Sequence, residues 1–216
     1  MKYVKLAALA VALVYGSSEA AVITFQTGYS NAGAQASANA YRDVVDAAVA
    51  ISSHTTVLNN YDIVSNQSLF GAGATNIAFK STINFGLSAA GTYSFRAGVD
   101  FGNGGAVFLD GHAVDYKTSD MWWAHDYANT NSVFSVSNKA LSAGNHTLTI
   151  YGLEGCCDGG QQVQFSANGG AFQSFSANTL QMAPVPEPET YAMMLGGLGV
   201  MGAVVRRRRN KNKQQA

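Results

Sequence analysis

The chain has 216 residues, 47% of them hydrophobic and only 12% charged, with a formal net charge of zero. That zero averages unlike segments: residues 21–183 hold five bases against ten acids, about −5, and so offer no footprint for a phosphate backbone, which excludes nucleic acid as a partner. The same stretch is rich in Gly, Ser, Asn, Thr and aromatics and has the length of a single domain, the make-up of a β-rich extracellular module.

In chain order, Lys2 and Lys5 open a charged start, Val4 and Leu6 to Tyr15 form an apolar centre, and Ser18-Glu19-Ala20 supplies small residues for cleavage. This pattern predicts a signal peptide over 1–20 and a mature chain from Ala21; the apolar part is shorter than the ~20 residues a membrane span needs. Within 38–51, Tyr41, Val44, Val45, Ala48 and Val49 recur at three- and four-residue steps behind Ser37, which predicts one short helix capped by Ser37 and packed across one end of the domain.

From there the chain alternates. Residues 76–87 read as a strand with Ile77, Phe79, Ile83 and Phe85 as its apolar positions, the parity slipping near Ser81. Tyr93, Phe95, Ala97 and Val99 share one face of the next strand, and Asp110-Gly111 marks a tight hairpin after 106–109. Further strands are expected over 145–151, 162–167 and 171–175. Together they predict a mainly β domain over 21–183, a single antiparallel β-sandwich or barrel.

Three loops carry candidate binding residues. Asp100-Phe101-Gly102-Asn103-Gly104-Gly105 places Asp100 and Asn103 oxygens on a flexible backbone of the kind calcium accepts; otherwise Asp100 only caps a turn. Trp122 and Trp123 are adjacent, so on a strand they could not both point inward, and one is free to stack on a sugar face or a partner. Cys156 and Cys157 are the only cysteines. After export they would be oxidised, as a vicinal disulfide that is easier to reduce than an ordinary one, as bonds to another chain, or else left free or metal-bound. A vicinal bond would stiffen the turn ending in Asp158 and present a flat sulfur face to a ligand. The histidines, His54, His112, His125 and His146, are scattered and form no ligand pattern. No Gly-x-Ser-x-Gly elbow or His-Glu-x-x-His helix occurs, and acids around a turn, such as Asp110 and Asp115, are ordinary turn formers, so no catalytic residue and no enzyme is expected.

The tail is the most specific segment. Pro184, Pro186 and Pro188, the chain's three prolines, stiffen a stretch that runs Val185-Pro186-Glu187-Pro188, followed by an apolar run over 191–205 and the cluster Arg206-Arg207-Arg208-Arg209. Several guanidinium groups after an apolar run halt translocation, which leaves the body of the protein outside. The run is short for a permanent span and suits a temporary anchor; retention in the membrane is the alternative.

Pro-Glu-Pro, apolar run and Arg cluster, in that order at the end of the chain, resemble the PEP-CTERM sorting signal of Gram-negative bacteria. The resemblance implies a sorting tail over 184–216, an inner-membrane intermediate, cleavage by an exosortase, and a final place at the cell surface or in an extracellular polysaccharide or biofilm matrix. Cys156-Cys157-Asp158-Gly159 also resembles the CCXG subgroup of such proteins. In the body, Ala90 to Phe95, Asp100, Gly105 to Val114 and Leu141 to Leu148 resemble the protective-antigen-type, lectin-like β-sandwich of adhesins and yeast flocculins, which implies glycan binding. Members that bind sugar through calcium carry adjacent aspartates where this chain has Asp100-Phe101. The competing expectation is a structural or assembly module without a small ligand.

Overall fold

The computed structural model describes residues 19–51, 53–182 and 196–202. The chain divides into two compact units, one formed by Ser18–Ala183, the other by Met1–Ser17 with Pro184–Ala216. In the second unit residues 196–202 are helical; among the described residues no helix is long and apolar enough to cross a membrane. Residues 1–18, the Pro-Glu-Pro motif, the Arg cluster and the rest of the 191–205 run lie outside the described residues.

The body is two antiparallel sheets face to face, an open sandwich and not a closed barrel. Its strands are β1 (Val22–Tyr29), β2 (Ser53–Leu58), β3 (Thr75–Leu87), β4 (Gly91–Gly98), β5 (Gly105–Leu109), β6 (His112–Lys117), β7 (Val133–Leu141), β8 (Gly144–Cys156), β9 (Gln162–Ala167) and β10 (Gln173–Ser174). One sheet runs β2-β1-β3-β8-β5-β6, the other β10-β9-β4-β7. Two helices accompany them, α1 (Ala38–Ile51) and the single-turn α2 (Asn66–Phe70).

The period-two pattern explains the main core. Phe25 of β1, Phe79, Ile83 and Phe85 of β3, and Leu148 and Ile150 of β8 face Phe95 and Ala97 of β4, Phe134 and Val136 of β7, and Val163 and Phe165 of β9. Ser81 keeps the inward parity of β3, contrary to the slip expected there. It is tolerated in the core because the buried Tyr61 hydroxyl lies 2.6 Å from its Oγ.

Helix α1 begins where expected, with Ser37 Oγ accepting the Ala40 N–H at 3.2 Å. It lies across the outer face of the six-stranded sheet and not across an end of the sandwich: Tyr41, Val45 and Val49 pack on Ala78, Ala106, Phe108, Tyr151 and Leu153 in a second core. That is why β8 is apolar on both faces near Tyr151–Leu153. The Tyr41 hydroxyl donates to Asn103 O at 2.8 Å and so ties the helix to the β4–β5 loop.

Asp110 and Gly111, at φ 52° and 78°, form the expected hairpin turn between β5 and β6. The Asp110 carboxylate accepts the Thr147 N–H at 2.9 Å and pairs with His146 at 2.8 Å, while Asp115 belongs to β6.

Two glycines let aromatic rings lie directly on strand backbone. A Cβ at Gly152 would sit 2.3 Å from the Phe101 ring, and one at Gly98 would sit 2.1 Å from the Trp123 indole. Gly152→Ala and Gly98→Ala should each destabilise the protein by about 1–3 kcal/mol, read as a lower urea midpoint with an unchanged slope.

Candidate functional site

At the end of β8 three segments meet: the β4–β5 loop, the long loop after β6, and the turn after β8. They enclose a cleft of about 350 Å³ lined by Asp100, Gly102, Asp120, Trp122, Glu154, Cys156 and Cys157. The first loop is anchored by Phe101, whose buried ring stacks on Phe79 at 5.4 Å, and by a backbone exchange in which Asn103 N–H donates to Leu153 O and Leu153 N–H to Gly104 O. The second loop is held against it by Met121 N–H on Phe101 O and Trp123 N–H on Val99 O.

Glu154 joins the first loop to the third. Its carboxylate, in a residue only 2% exposed, accepts the Gly102 N–H through Oε2 and the Cys156 N–H through Oε1, each at 2.6 Å. Burial raises its pKa, and the two N–H groups pull it back toward the ionised form.

Asp100 is treated differently. The residue is 9% exposed, yet no N–H or O–H donor among the described residues reaches its carboxylate. Burial first, and then the negative charges of Glu154, Asp120 and Asp158, push its pKa up to about 7. Its neighbour Gly159 has no room for a side chain, since a Cβ there would lie 2.2 Å from Asp100 Oδ2.

The turn after β8 accounts for its Cys-Cys-Asp-Gly order. Cys156 and Cys157 are joined to each other, and Cys157, in the left-handed region at φ 78°, donates its N–H to Ala74 O at 2.7 Å. Asp158 Oδ2 accepts the Gln67 N–H of α2 at 2.8 Å, and burial raises its pKa. Gly159 then passes against Asp100. One turn thus holds β8, α2 and the acidic loop together.

The tryptophans separate by role. Trp123 is 2% exposed, donates its indole N–H to Gly160 O at 2.7 Å, and stacks on His125 at 5.1 Å. Trp122 is 64% exposed at the cleft. Asp120 Oδ1 accepts the Trp122 N–H at 3.1 Å, a side-chain turn that fixes the backbone from which the indole projects. The segment is a loop and not a strand, so the opposite orientations come from turns.

Of the residues singled out in the sequence, Asp100, Trp122, Cys156 and Cys157 converge on the cleft. Asn103, Trp123 and Asp158 do not line it; they brace its walls, Asn103 by donating its side-chain amide to Ala32 O at 3.3 Å. Sequence reasoning missed Asp120 and Glu154. A lone acid at the end of the apolar run of β8, and an Asp two residues before a Trp, were the signals available.

Calcium takes about six to eight oxygen donors. Here Phe101 turns an apolar ring into the core beside Asp100, and both Glu154 oxygens hold backbone N–H groups. Among the described residues no group of three or more His, Cys, Asp or Glu is arranged to hold a metal ion. The residues present do not fit calcium.

Residues 184–209 match the family described as the PEP-CTERM protein-sorting motif. The chain carries that sorting motif. No curated protein matches the chain by sequence. Among solved structures, the Epithelial Adhesin 9 A domain from Candida glabrata, in complex with Galb1-4GlcNAc, aligns with a TM-score of 0.50 at 11% identity, covering 78% of this chain and 94% of that one. A PA14 sugar-binding domain from an RTX adhesin aligns with a TM-score of 0.48 at 15% identity, over 78% of this chain and 100% of that one. The PA14 domain of the MpAFP antifreeze protein gives 0.46 at 14% identity, over 82% and 98%. The β-sandwich expected from the sequence is the fold, shared with the Candida glabrata domain; at such identities the likeness concerns the fold alone.

An acid whose pKa is raised on folding contributes stability that is complete below its unfolded value, 3.8 for Asp100, and is lost as pH rises through about 7. Asp100→Asn removes this dependence. The variant should gain stability over the parent between pH 4 and pH 8, by on the order of 2 kcal/mol at the upper end, measured by urea unfolding at each pH.

Proposed function

We propose that this is an exported surface or matrix protein whose body binds glycan and whose tail is processed by an exosortase. In this reading residues 1–20 direct export, 21–183 form the module, and the apolar run over 191–205 holds a membrane intermediate until cleavage near Pro186-Glu187-Pro188. The match of residues 184–209 to the sorting motif supports the tail assignment.

The observation that carries the binding reading is the exposed Trp122 indole beside a carboxylate-lined cleft. A pyranose presents an apolar C–H face that stacks on such a ring, and hydroxyl edges that donate to carboxylates. The Cys156–Cys157 pair adds a flat, non-ionic wall. The shared fold of the Candida glabrata adhesin domain, a protein in complex with Galb1-4GlcNAc, supports sugar as the class of ligand to test. No nucleophile with an activating base lines the cleft, and binding without chemistry is the role proposed.

Two outcomes are expected. Replacing Pro186, Glu187 and Pro188 by alanine should leave the uncleaved precursor in the native host, read by intact mass; normal processing of that variant would remove the exosortase assignment. Titration with extracellular polysaccharide fragments should quench tryptophan emission, and Trp122→Ala should weaken binding about tenfold, the loss of roughly 1.4 kcal/mol of stacking. Unchanged binding by that variant would leave the module a structural building block.

A further inference from the structure

We infer that the cleft, taken as the glycan site proposed above, selects a sugar that carries a free amine, a glucosamine-type unit, over neutral, N-acetylated or uronic sugars. The argument starts from what the cleft lacks. Its lining includes Asp100, Asp120 and Glu154 and, among the described residues, no Lys, Arg or His. Asp158, although outside the lining, adds its negative charge to the field at Asp100.

A cluster of acids alone would have no such meaning, because exposed acids are usually solvated. Asp100 is the distinguishing residue. Its carboxylate lines the cleft from a residue nine-tenths buried, and it meets no donor from the protein, whereas Glu154 beside it receives two backbone N–H groups. A carboxylate that opens only onto a narrow cleft is incompletely hydrated, and a ligand that brings a donor makes good the loss. Burial and the neighbouring carboxylates raise the Asp100 pKa in keeping with that geometry.

The missing group has a definite character. A sugar hydroxyl supplies a donor but leaves the mutual repulsion of the carboxylates in place. An ammonium supplies three donors and a positive charge together, in a geometry less demanding than a metal shell. A uronate would add another negative charge to a site already short of cations. Trp122 fits the same ligand, because its ring face attracts a cation held within about 6 Å as well as stacking on C–H groups. The cleft volume, about 350 Å³, falls at the lower end of small-molecule sites.

The test uses the protein purified from its host and four trisaccharides of like length: glucosamine, N-acetylglucosamine, glucose and a uronic acid. Calorimetry gives affinity and stoichiometry, and tryptophan emission reports the site. The glucosamine trisaccharide should bind at one per chain, at least tenfold tighter than the N-acetylated and neutral forms, with no detectable uronate binding. Asp120→Asn, whose side-chain oxygen can still accept the Trp122 N–H and a sugar hydroxyl, should weaken the amine ligand at least fivefold more than it weakens the neutral sugar. Equal affinity for amine and N-acetylated forms would overturn the inference and leave the glycan reading intact. No quenching by any of the four would overturn both. Amine binding that Asp120→Asn does not change, or that exceeds one per chain, would mean attraction to the acidic surface at large and would also overturn it, as would binding abolished by a chelator and restored by calcium.

Discussion

The pairing of β3 with β8 is the constraint on which the rest depends. The two strands run antiparallel from Thr75 opposite Cys156 to Leu87 opposite Gly144, and each is paired on its other edge as well, β3 with β1 and β8 with β5. Strands bonded on both edges cannot slip by one residue without turning every core side chain outward. That register puts Phe79 under Phe101, exposes Ala78 and Leu153 to α1, and delivers Glu154 and Cys156 to the end of the sheet.

The cleft is where regular pairing gives way. The β4–β5 loop leaves its strand at Val99, buries Phe101, and returns at Gly105; Asn103 and Gly104 bond the Leu153 backbone of β8, but the Gly102 N–H lies outside that pairing. Glu154 takes over that duty for Gly102, and the Tyr41 hydroxyl bonds the backbone carbonyl of Asn103. Buried carboxylates are tolerable when charge-assisted bonds surround them, and Glu154 meets that condition. Asp100 does not. A site that keeps one carboxylate unsatisfied loses some stability at neutral pH and keeps a place for a donor from outside.

The turn after β8 connects these features. Cys157, Asp158 and Gly159 each have a separate mechanical role: a backbone bond to Ala74, a cap on α2, and close passage over Asp100. The disulfide lies on the cleft side of that turn. A substitution at any of the three positions would therefore move a cleft wall as well as a turn.

Much of this was legible in the chain. The helix over 38–51, the inward face of Tyr93 to Val99, the Asp110-Gly111 hairpin and the sorting motif over 184–209 all express themselves within a few residues, because periodicity, turn chemistry and a linear signal are local. β1, β2, β7 and α2 were not anticipated: β7 turns polar toward its C-terminal end as an edge strand, and α2 is one turn capped in part by Asp158, 91 residues away from Gln67. Only the tertiary structure decided that Trp122 faces out and Trp123 in, that α1 covers a sheet face, and that Asp100, Asp120 and Glu154 share a cleft. Those outcomes depend on strand register and on loop bonds between distant residues, and such long-range pairing leaves no periodic trace in the sequence.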